Sequence, residues 1–305
     1  MAVRLGHRLA RWFPDGQLFV DLCTHSGRHA PLTARAALHT LLRQLGVDGD
    51  RIPSRLDESA ALWRSLLTGR KILVVLDDVA DAAQVRALLP GGGADCRFVI
   101  TSRSNLTSLE AVGTTPLDVL PGVEAVDLFA SVAGPCRVAG RDDQVREITA
   151  LCGFLPLALR IAAARLRDRP LWTVEHLLAL LRDEHRRLPA LSAGDRGVGT
   201  ALTSSYRRLS PAHQRLYRLL GDLPSVDIVP DAEGTARLLE DLVDVNLVSQ
   251  AALGRYRLHD LVRDHARETA RARPARRRPA IDHLCALTRQ TADTSELTSP
   301  PVLSP

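Results

Sequence analysis

The sequence predicts an α/β fold that begins with a parallel sheet and continues into an all-α part and a small helix-and-hairpin unit. Up to about residue 120, short apolar runs alternate with helical patterns, which is typical of a parallel sheet with helices on both faces. Beyond Leu120 the strand pattern gives way to helical periodicity. Near residue 250, two strand-like runs flank a turn that contains Gly254.

The first part supplies the elements of the predicted sheet in order. Leu5, Leu9 and Trp12 recur at helical spacing before the turn at Pro14-Asp15-Gly16, so the chain opens within a helix. Strands are predicted at residues 17–22, 71–77 and 97–101, with a weaker one at 116–119, and helices at 33–45, 57–67 and 83–89.

The later parts are mainly helical. Helices are predicted at residues 123–132, 143–152, 155–166 and 174–187. A third unit begins near Gly199, and its second helix starts with Ser210 as N-cap and Pro211 as first residue. A helix at 235–243 and strands at 245–250 and 255–258 are typical of a winged helix, and further helices are predicted from 258 and at 281–292. The predicted domains are therefore residues 1–118, 119–194, 195–265 and a basic helical tail at 266–305.

Composition excludes several classes of protein. The chain has 305 residues, of which 45% are hydrophobic, so it can bury a core in two or three domains. No apolar run approaches the roughly 20 residues of a membrane helix, and the N-terminus lacks signal-peptide features, which predicts a cytoplasmic location and no membrane partner. The five cysteines are scattered and odd in number, which argues against a disulfide framework and a zinc site.

The net charge of +5 comes from a late arginine cluster. Such a cluster is either a solvated helix end or a contact for nucleic acid or an acidic partner. Its members are Arg271, Arg273, Arg276, Arg277 and Arg278.

The apolar run at residues 72–76 leads into two acids, Asp77 and Asp78. A buried parallel strand carries such carboxylates to its C-terminal edge, where the water shell of a magnesium ion can meet them. The matching phosphate loop, G-x-x-x-x-G-K-[ST], needs a lysine between a glycine and a hydroxyl residue. Lys71 is the single lysine of the sequence and stands between Arg70 and Ile72, so these 305 residues contain no such loop.

Two further positions are candidates for contacts with a nucleotide, and a third, Pro156, by itself indicates only the start of a helix. Arg103 follows the strand at 97–101 and is suited either to sensing a γ-phosphate or to ordinary solvation. Pro156 lies in the first turn of an apolar helix, where its missing N–H costs nothing. His259 stands with Asp260 at a strand-to-helix junction, where the imidazole can approach a phosphate or simply cap the helix.

Taken together, the order Leu-Asp-Asp, Thr-Ser-Arg, Gly-x-Leu-Pro-Leu and Leu-His-Asp resembles the NB-ARC modules of STAND-type P-loop regulatory ATPases. The similarity is greatest to those of bacterial transcriptional regulators of antibiotic production. It extends from residue 1 to about residue 295 and includes the segments at 12–22, 163–166, 205–209 and 255–263.

The resemblance implies a role for five residues. Asp77 would bind magnesium through water, and Asp78 would polarise the attacking water as the catalytic residue. Arg103 would contact the γ-phosphate, Pro156 would pack near adenine, and His259 would contact the β-phosphate of bound ADP and so hold a closed state.

Two departures from the family pattern qualify those roles. The family usually has a second glycine where this chain has Phe154, which would crowd the adenine pocket. The first strand and phosphate loop of the family are absent from the sequence, which predicts an N-terminal truncation and an incomplete sheet with unpaired facing edges. We therefore expect weak or lost binding of ADP or ATP with magnesium, and little hydrolysis.

Three functions follow from these observations. The first is an ADP-responsive regulatory module of a transcriptional or signalling regulator. The second is a truncated, non-catalytic fragment that binds protein partners through its helical and winged-helix domains. The third is DNA binding through the winged helix, which is disfavoured for this chain alone because the candidate recognition helix at 235–241 is acidic.

Overall fold

The computed structural model describes residues 1–25, 30–90, 95–109, 113–194, 196–223, 227–230 and 233–272. The chain divides into two compact units, Met1–Thr114 and Thr115–Pro305. The predicted helix at 281–292 lies outside the described residues, as do Cys285 and all members of the arginine cluster except Arg271. Within the described ranges, no helix is both long enough and apolar enough to cross a membrane.

The first unit contains the predicted parallel sheet. Its strands are β1 (Gly16–Asp21), β2 (Ile72–Val79) and β3 (Arg97–Ser102), and they lie in the order β1-β2-β3. Both pairs are parallel. β2 is paired along both edges, so no gap separates the strands whose ends carry the two acids and Arg103. Within the described residues β3 is an outer strand of this sheet, and the expected loss of a neighbouring strand stays a prediction.

Helices cover both faces of this sheet. They are α1 (Ala2–Leu9), α2 (Ala34–Gln44), α3 (Leu56–Leu67) and the short α4 (Ala82–Arg86). Alternate residues of β2 point to opposite faces. Leu73 and Val75 pack in a cluster with Ala2 of α1, whereas Val74 belongs to the main core with Trp63 of α3. Burial on both faces explains why β2 is a continuous apolar run.

The predicted strand at 116–119 is wrong, because these residues form no strand in the structure. Pro116 has no N–H to donate to a ladder, and Leu117 is 72% exposed.

In the first unit, a side chain of α2 covers the outer edge of β1. The amide of Gln44 accepts from the N–H of Phe19 at 3.3 Å and donates to its carbonyl oxygen at 2.9 Å.

The second unit begins with a helical part. Its helices are α5 (Gly122–Ala133), α6 (Pro135–Val138), α7 (Asp142–Leu151), α8 (Pro156–Asp168), α9 (Val174–Arg182) and α10 (Glu184–Ala190). The prediction of a single helix at 174–187 is wrong, because the helix is interrupted at Asp183, between α9 and α10. Asp183 has an extended backbone, and its side chain accepts from the N–H of His185 at 2.9 Å. An aspartate is more stable as an N-cap than inside a helix, which explains the break.

The rest of the second unit combines helices with short strands. They are β4 (Ser192–Ala193), β5 (Arg196–Gly197), α11 (Val198–Arg208), α12 (Pro211–Gly221), β6 (Asp227–Ile228), α13 (Glu233–Asp244), β7 (Ser249–Ala252), β8 (Arg255–Arg257) and α14 (Asp260–Ala272). The predicted cap of α12 by Ser210 and the β7–β8 hairpin are confirmed, although β7 begins four residues later than expected. β6, β8 and β7 form one antiparallel sheet.

Candidate functional site

The first candidate site lies at the carboxyl end of β2, where the strand contains a bulge. Leu76 pairs with Ile100, but Val79 pairs with Ser102, so three steps of β2 match two steps of β3. Bulges are common beside functional sites because they redirect side chains. This one includes Asp78, whose φ of 53° is left-handed.

The side chain of Thr101 on β3 connects the two acids. Its hydroxyl donates a short hydrogen bond to Asp77 Oδ1 and accepts from the backbone N–H of Asp78 at 3.0 Å. One hydroxyl of β3 thus contacts the side chain of Asp77 and the backbone of Asp78, and so links the ends of the two strands.

Asp78 is also bound by the segment that follows β1. The backbone N–H of His25 donates to Asp78 Oδ2 at 2.6 Å, and His25 Nδ1 lies 2.7 Å from Asp78 Oδ1. Burial raises the pKa of Asp78, but the hydrogen bonds to His25 and the electrostatic attraction of His25 and Arg103 outweigh it, and the pKa is lowered. The side chain is therefore an ionised carboxylate at neutral pH.

Arg103 supplies positive charge at the same edge of the sheet. It directly follows Ser102, the last residue of β3, and is half-buried. Burial lowers the pKa of its guanidinium, and the charge of Asp78 raises it. Arginine stays protonated in proteins, so this edge presents a permanent positive charge that interacts with Asp78.

Sequence reasoning missed His25 and the role of Thr101. A signal for His25 was available, because parallel strands end at a common edge and His25 stands four residues after β1. Thr101 belonged to the Thr-Ser-Arg motif but had no role assigned to it.

The second candidate site lies in the second unit, at the loop between α7 and α8. Gly153 and Phe154 both have left-handed backbones, with φ of 60° and 56°, and the N–H of Phe154 donates to Thr149 O at 3.0 Å. This geometry ends α7 and turns the chain into α8. Pro156 is the first residue of α8, and its predicted place in the first turn of that helix is confirmed.

His259 contacts this loop from the start of α14. Its Nδ1 accepts from the N–H of Leu261 at 3.2 Å, so the ring proton is on Nε2, which donates to Gly153 O at 3.0 Å. A Cβ on Gly153 would lie 2.0 Å from the Cε1 atom of His259. The imidazole therefore both caps a helix and packs on a glycine that no other residue can replace without displacement.

A cavity of about 460 Å³ opens beside Phe154. Its lining is mostly apolar and includes one acid and one base. The lining residues are Gly122, Val123, Val126, Asp127, Arg146, Thr149 and Phe154.

The predicted site residues thus form two groups, one in each unit. Asp77, Asp78 and Arg103 lie together at the edge of the sheet in the first unit. In the second unit, His259 contacts the loop that leads into Pro156. The roles of all five stay predictions.

Asp77 is the candidate contact for magnesium. Among the residues that the structure describes, no three His, Cys, Asp or Glu side chains are grouped to hold a metal ion. Magnesium usually keeps several waters and takes only one or two protein carboxylates beside nucleotide phosphates. Asp77 accepts from Thr101 through one oxygen, Oδ1, so this donor set fits a hydrated magnesium ion held chiefly by phosphate.

Comparison with known proteins decides the relationship. No protein-family profile matches the chain. The regulatory protein AfsR of Streptomyces coelicolor is 45% identical over 279 residues, which cover 88% of this chain and 28% of AfsR. This chain is a homologue of part of AfsR.

The chain is also similar to a plant protein and to a solved structure. The disease resistance protein RML1A of Arabidopsis thaliana is 26% identical over 273 residues, or 82% of this chain and 25% of that protein. The chain thus spans about a quarter of the length of either relative. The Walker-type ATPase of Pyrococcus abyssi superposes with a TM-score of 0.52 at 12% identity, over 83% of this chain and 84% of the ATPase.

These similarities confirm the predicted resemblance of this chain to regulatory proteins of the NB-ARC type. The structural match shows a shared fold, namely the α/β fold of P-loop ATPases with a parallel sheet and many helices.

Proposed function

We propose that this chain is a nucleotide-responsive regulatory module that binds ADP or ATP with magnesium, within a transcriptional or signalling regulator. The observation that carries the proposal is the group formed by Asp77, Asp78, Thr101 and Arg103 at the carboxyl edge of the sheet. Ligands of open α/β sheets bind at that edge. The relationship to AfsR, a regulatory protein, supports the regulatory part of the proposal.

In the first unit, each charged group has a distinct task. Asp77 would hold a water of the magnesium ion, and ionised Asp78 would orient the attacking water in any hydrolysis of ATP that occurs. Arg103 contacts the γ-phosphate, because a guanidinium gives planar hydrogen bonds to phosphate oxygens. Only ATP carries the group that Arg103 would bind, which makes this residue the element that distinguishes ATP from ADP.

In the second unit, the nucleotide contacts are Pro156 near the adenine ring and His259 at the β-phosphate. The Nε2–H of His259 donates to Gly153 in this structure, and the same donor suits a phosphate oxygen. We also assign a winged-helix fold to residues 195–265, which fits the order α11, α12, β6, α13, β7, β8 and α14 and the antiparallel sheet.

Binding by these residues alone is expected to be weak. In P-loop proteins, backbone amides of the glycine-rich loop and a helix N-terminus hold most of the phosphate charge. This sequence contains no G-x-x-x-x-G-K-[ST] segment. We expect measurable affinity for magnesium-ADP and little or no hydrolysis of ATP by this polypeptide.

Calorimetric titration with ADP tests the proposal. We expect binding heat that requires magnesium and that falls in Asp77→Asn, because the neutral amide no longer attracts the hydrated ion. Asp50→Asn is the matched control, since Asp50 is an exposed acid of the same unit. An absence of heat at high micromolar ADP with magnesium would reject nucleotide binding for this polypeptide.

A second candidate, a non-catalytic protein-interaction fragment, is favoured by the missing lysine motif. Limited proteolysis separates the two candidates. The fragment hypothesis predicts rapid loss of residues 1–118 and survival of a piece from about residue 120 onward. Equal resistance along the whole chain would contradict that hypothesis.

A further inference from the structure

The segment after β1 folds over the carboxyl end of β2. Cys23 has a left-handed backbone with φ of 54°, and its N–H donates to Asp21 Oδ1 at 2.8 Å. This tight turn brings His25 to Asp78, a residue 53 positions away in the sequence.

His25 makes a two-point contact with Asp78. Its backbone N–H lies 2.6 Å from Oδ2, and its ring Nδ1 lies 2.7 Å from Oδ1, so each carboxylate oxygen has its own donor. Because the ionised carboxylate has no proton to give, Nδ1 carries the proton and donates. The side chain of His25 is 6% exposed and that of Asp78 is 23% exposed, so water competes poorly for this contact.

Asp78 needs such a restraint. Its left-handed backbone at a bulge is unfavourable for a residue with a Cβ, and such conformations persist only where surrounding contacts determine them. Two donors, one on each oxygen, fix the rotation of the carboxylate as well as its position. Each oxygen still has a second lone pair, so a fixed carboxylate can also accept from water.

We propose that His25 is a positioning residue, which acts by fixing the carboxylate of Asp78 at the edge of the sheet. What Asp78 does to water or magnesium-nucleotide rests on the proposed function, whereas the contact between His25 and Asp78 does not. The competing role for His25 is a structural one, in which it only fastens the segment after β1 to the sheet.

Substitutions at His25 separate these roles. His25→Asn places an amide N–H close to the position of Nδ1 and retains the donor. His25→Leu introduces an apolar side chain of similar size and removes the donor. The backbone N–H of residue 25 is present in both variants. His39→Asn is the matched control, because His39 is an exposed histidine on α2 of the same unit.

The first arm of the test needs no nucleotide. Alkylation of Cys23, followed by peptide mass spectrometry, measures how firmly the segment is held. We expect His25→Leu and Asp78→Asn each to raise the alkylation rate about fivefold, the effect of losing one or two hydrogen bonds. We expect the double substitution to raise the rate no further, and His25→Asn and His39→Asn to stay near wild type. Additive effects, or an unchanged rate in His25→Leu, would overturn the proposal.

The second arm measures the affinity for magnesium-ADP by calorimetry, with thermal unfolding of each variant in parallel. Loss of a residue that orients a ligand group typically lowers affinity by about 10–100-fold. Thr101 accepts from the N–H of Asp78 and donates to Asp77, so a displaced Asp78 also disturbs the residue proposed to hold the magnesium ion. We therefore expect a loss of about tenfold in His25→Leu and recovery in His25→Asn. If His25→Leu binds magnesium-ADP with wild-type affinity while its Cys23 is alkylated faster, the role of His25 is purely structural. That result would overturn the proposal that His25 positions Asp78. A wild-type chain that binds no magnesium-ADP refutes the proposed function instead, and the alkylation experiment then decides the His25–Asp78 contact alone.

Discussion

Replacing Gly153 by alanine tests the contact between His259 and the loop that precedes α8. The glycine has φ of 60°, which costs an alanine about 1–2 kcal/mol. The added Cβ would also lie 2.0 Å from Cε1 and 2.2 Å from Nε2 of His259, so the imidazole must move. Its hydrogen bond to Gly153 O is then lost, at about 0.5–1.5 kcal/mol. We therefore expect Gly153→Ala to lower the free energy of unfolding of the second unit by roughly 2–3 kcal/mol.

Denaturant unfolding measures this loss, and the chain offers a good probe and a matched control. All three tyrosines, Tyr206, Tyr217 and Tyr256, lie in the second unit, so their near-ultraviolet signal follows that unit alone. Gly194 also has a left-handed backbone, with φ of 59°, but nothing lies within 4 Å of the position that a Cβ would take there. Gly194→Ala should therefore show the backbone cost without the collision.

A double substitution isolates the collision itself. In Gly153→Ala with His259→Ala, the imidazole that collides with the new methyl group is gone. We expect the combined loss of stability to be smaller than the sum of the two single losses by about 1 kcal/mol. Equal losses in Gly153→Ala and Gly194→Ala, together with additive behaviour at His259, would refute the geometry.

Three further substitutions test burial, hydrogen bonding and strand protection. Burial lowers the pKa of His265 to about 4, so the unfolded chain takes up a proton more readily than the folded chain. The contribution of His265 to the free energy of unfolding should therefore be full above about pH 6.5 and fall by up to about 1.4 kcal/mol per pH unit towards pH 4. In denaturant unfolding, His265→Gln should flatten that pH dependence. Trp63→Phe removes a buried hydrogen bond of 2.8 Å to Leu88 O and should destabilise the first unit by about 1–3 kcal/mol in the same assay. Gln44→Ala uncovers the backbone of Phe19 on the outer edge of β1 and should raise self-association in light scattering, with little change in stability.

Each of these expectations has an outcome that contradicts it. A pH dependence that survives in His265→Gln would place the titration elsewhere. Trp12→Phe is the control for Trp63, because Trp12 is 62% exposed, and equal losses for both tryptophans would exclude the buried hydrogen bond. Unchanged light scattering of Gln44→Ala at high protein concentration would show that this edge needs no cover.

Local patterns in the sequence determined the elements that depend on near neighbours. β2 was predicted because an apolar run without polar interruption must be buried on both faces, and the structure buries it between α1 and α3. Ser210 was predicted as a helix cap because its hydroxyl reaches an N–H only three residues away. Neither result requires knowledge of a distant partner, which is why periodicity and residue type were sufficient.

The tertiary structure decided whatever depends on partners far away in the chain. His25 reaches Asp78 across 53 positions, and His259 reaches Gly153 across 106. Such contacts depend on strand register, on the bulge at the end of β2 and on how helices pack, and no local pattern encodes these. The sequence by itself therefore determined which residues carry charge and where strands end, whereas the fold decided which donor meets which carboxylate, because hydrogen bonds extend only about 3 Å.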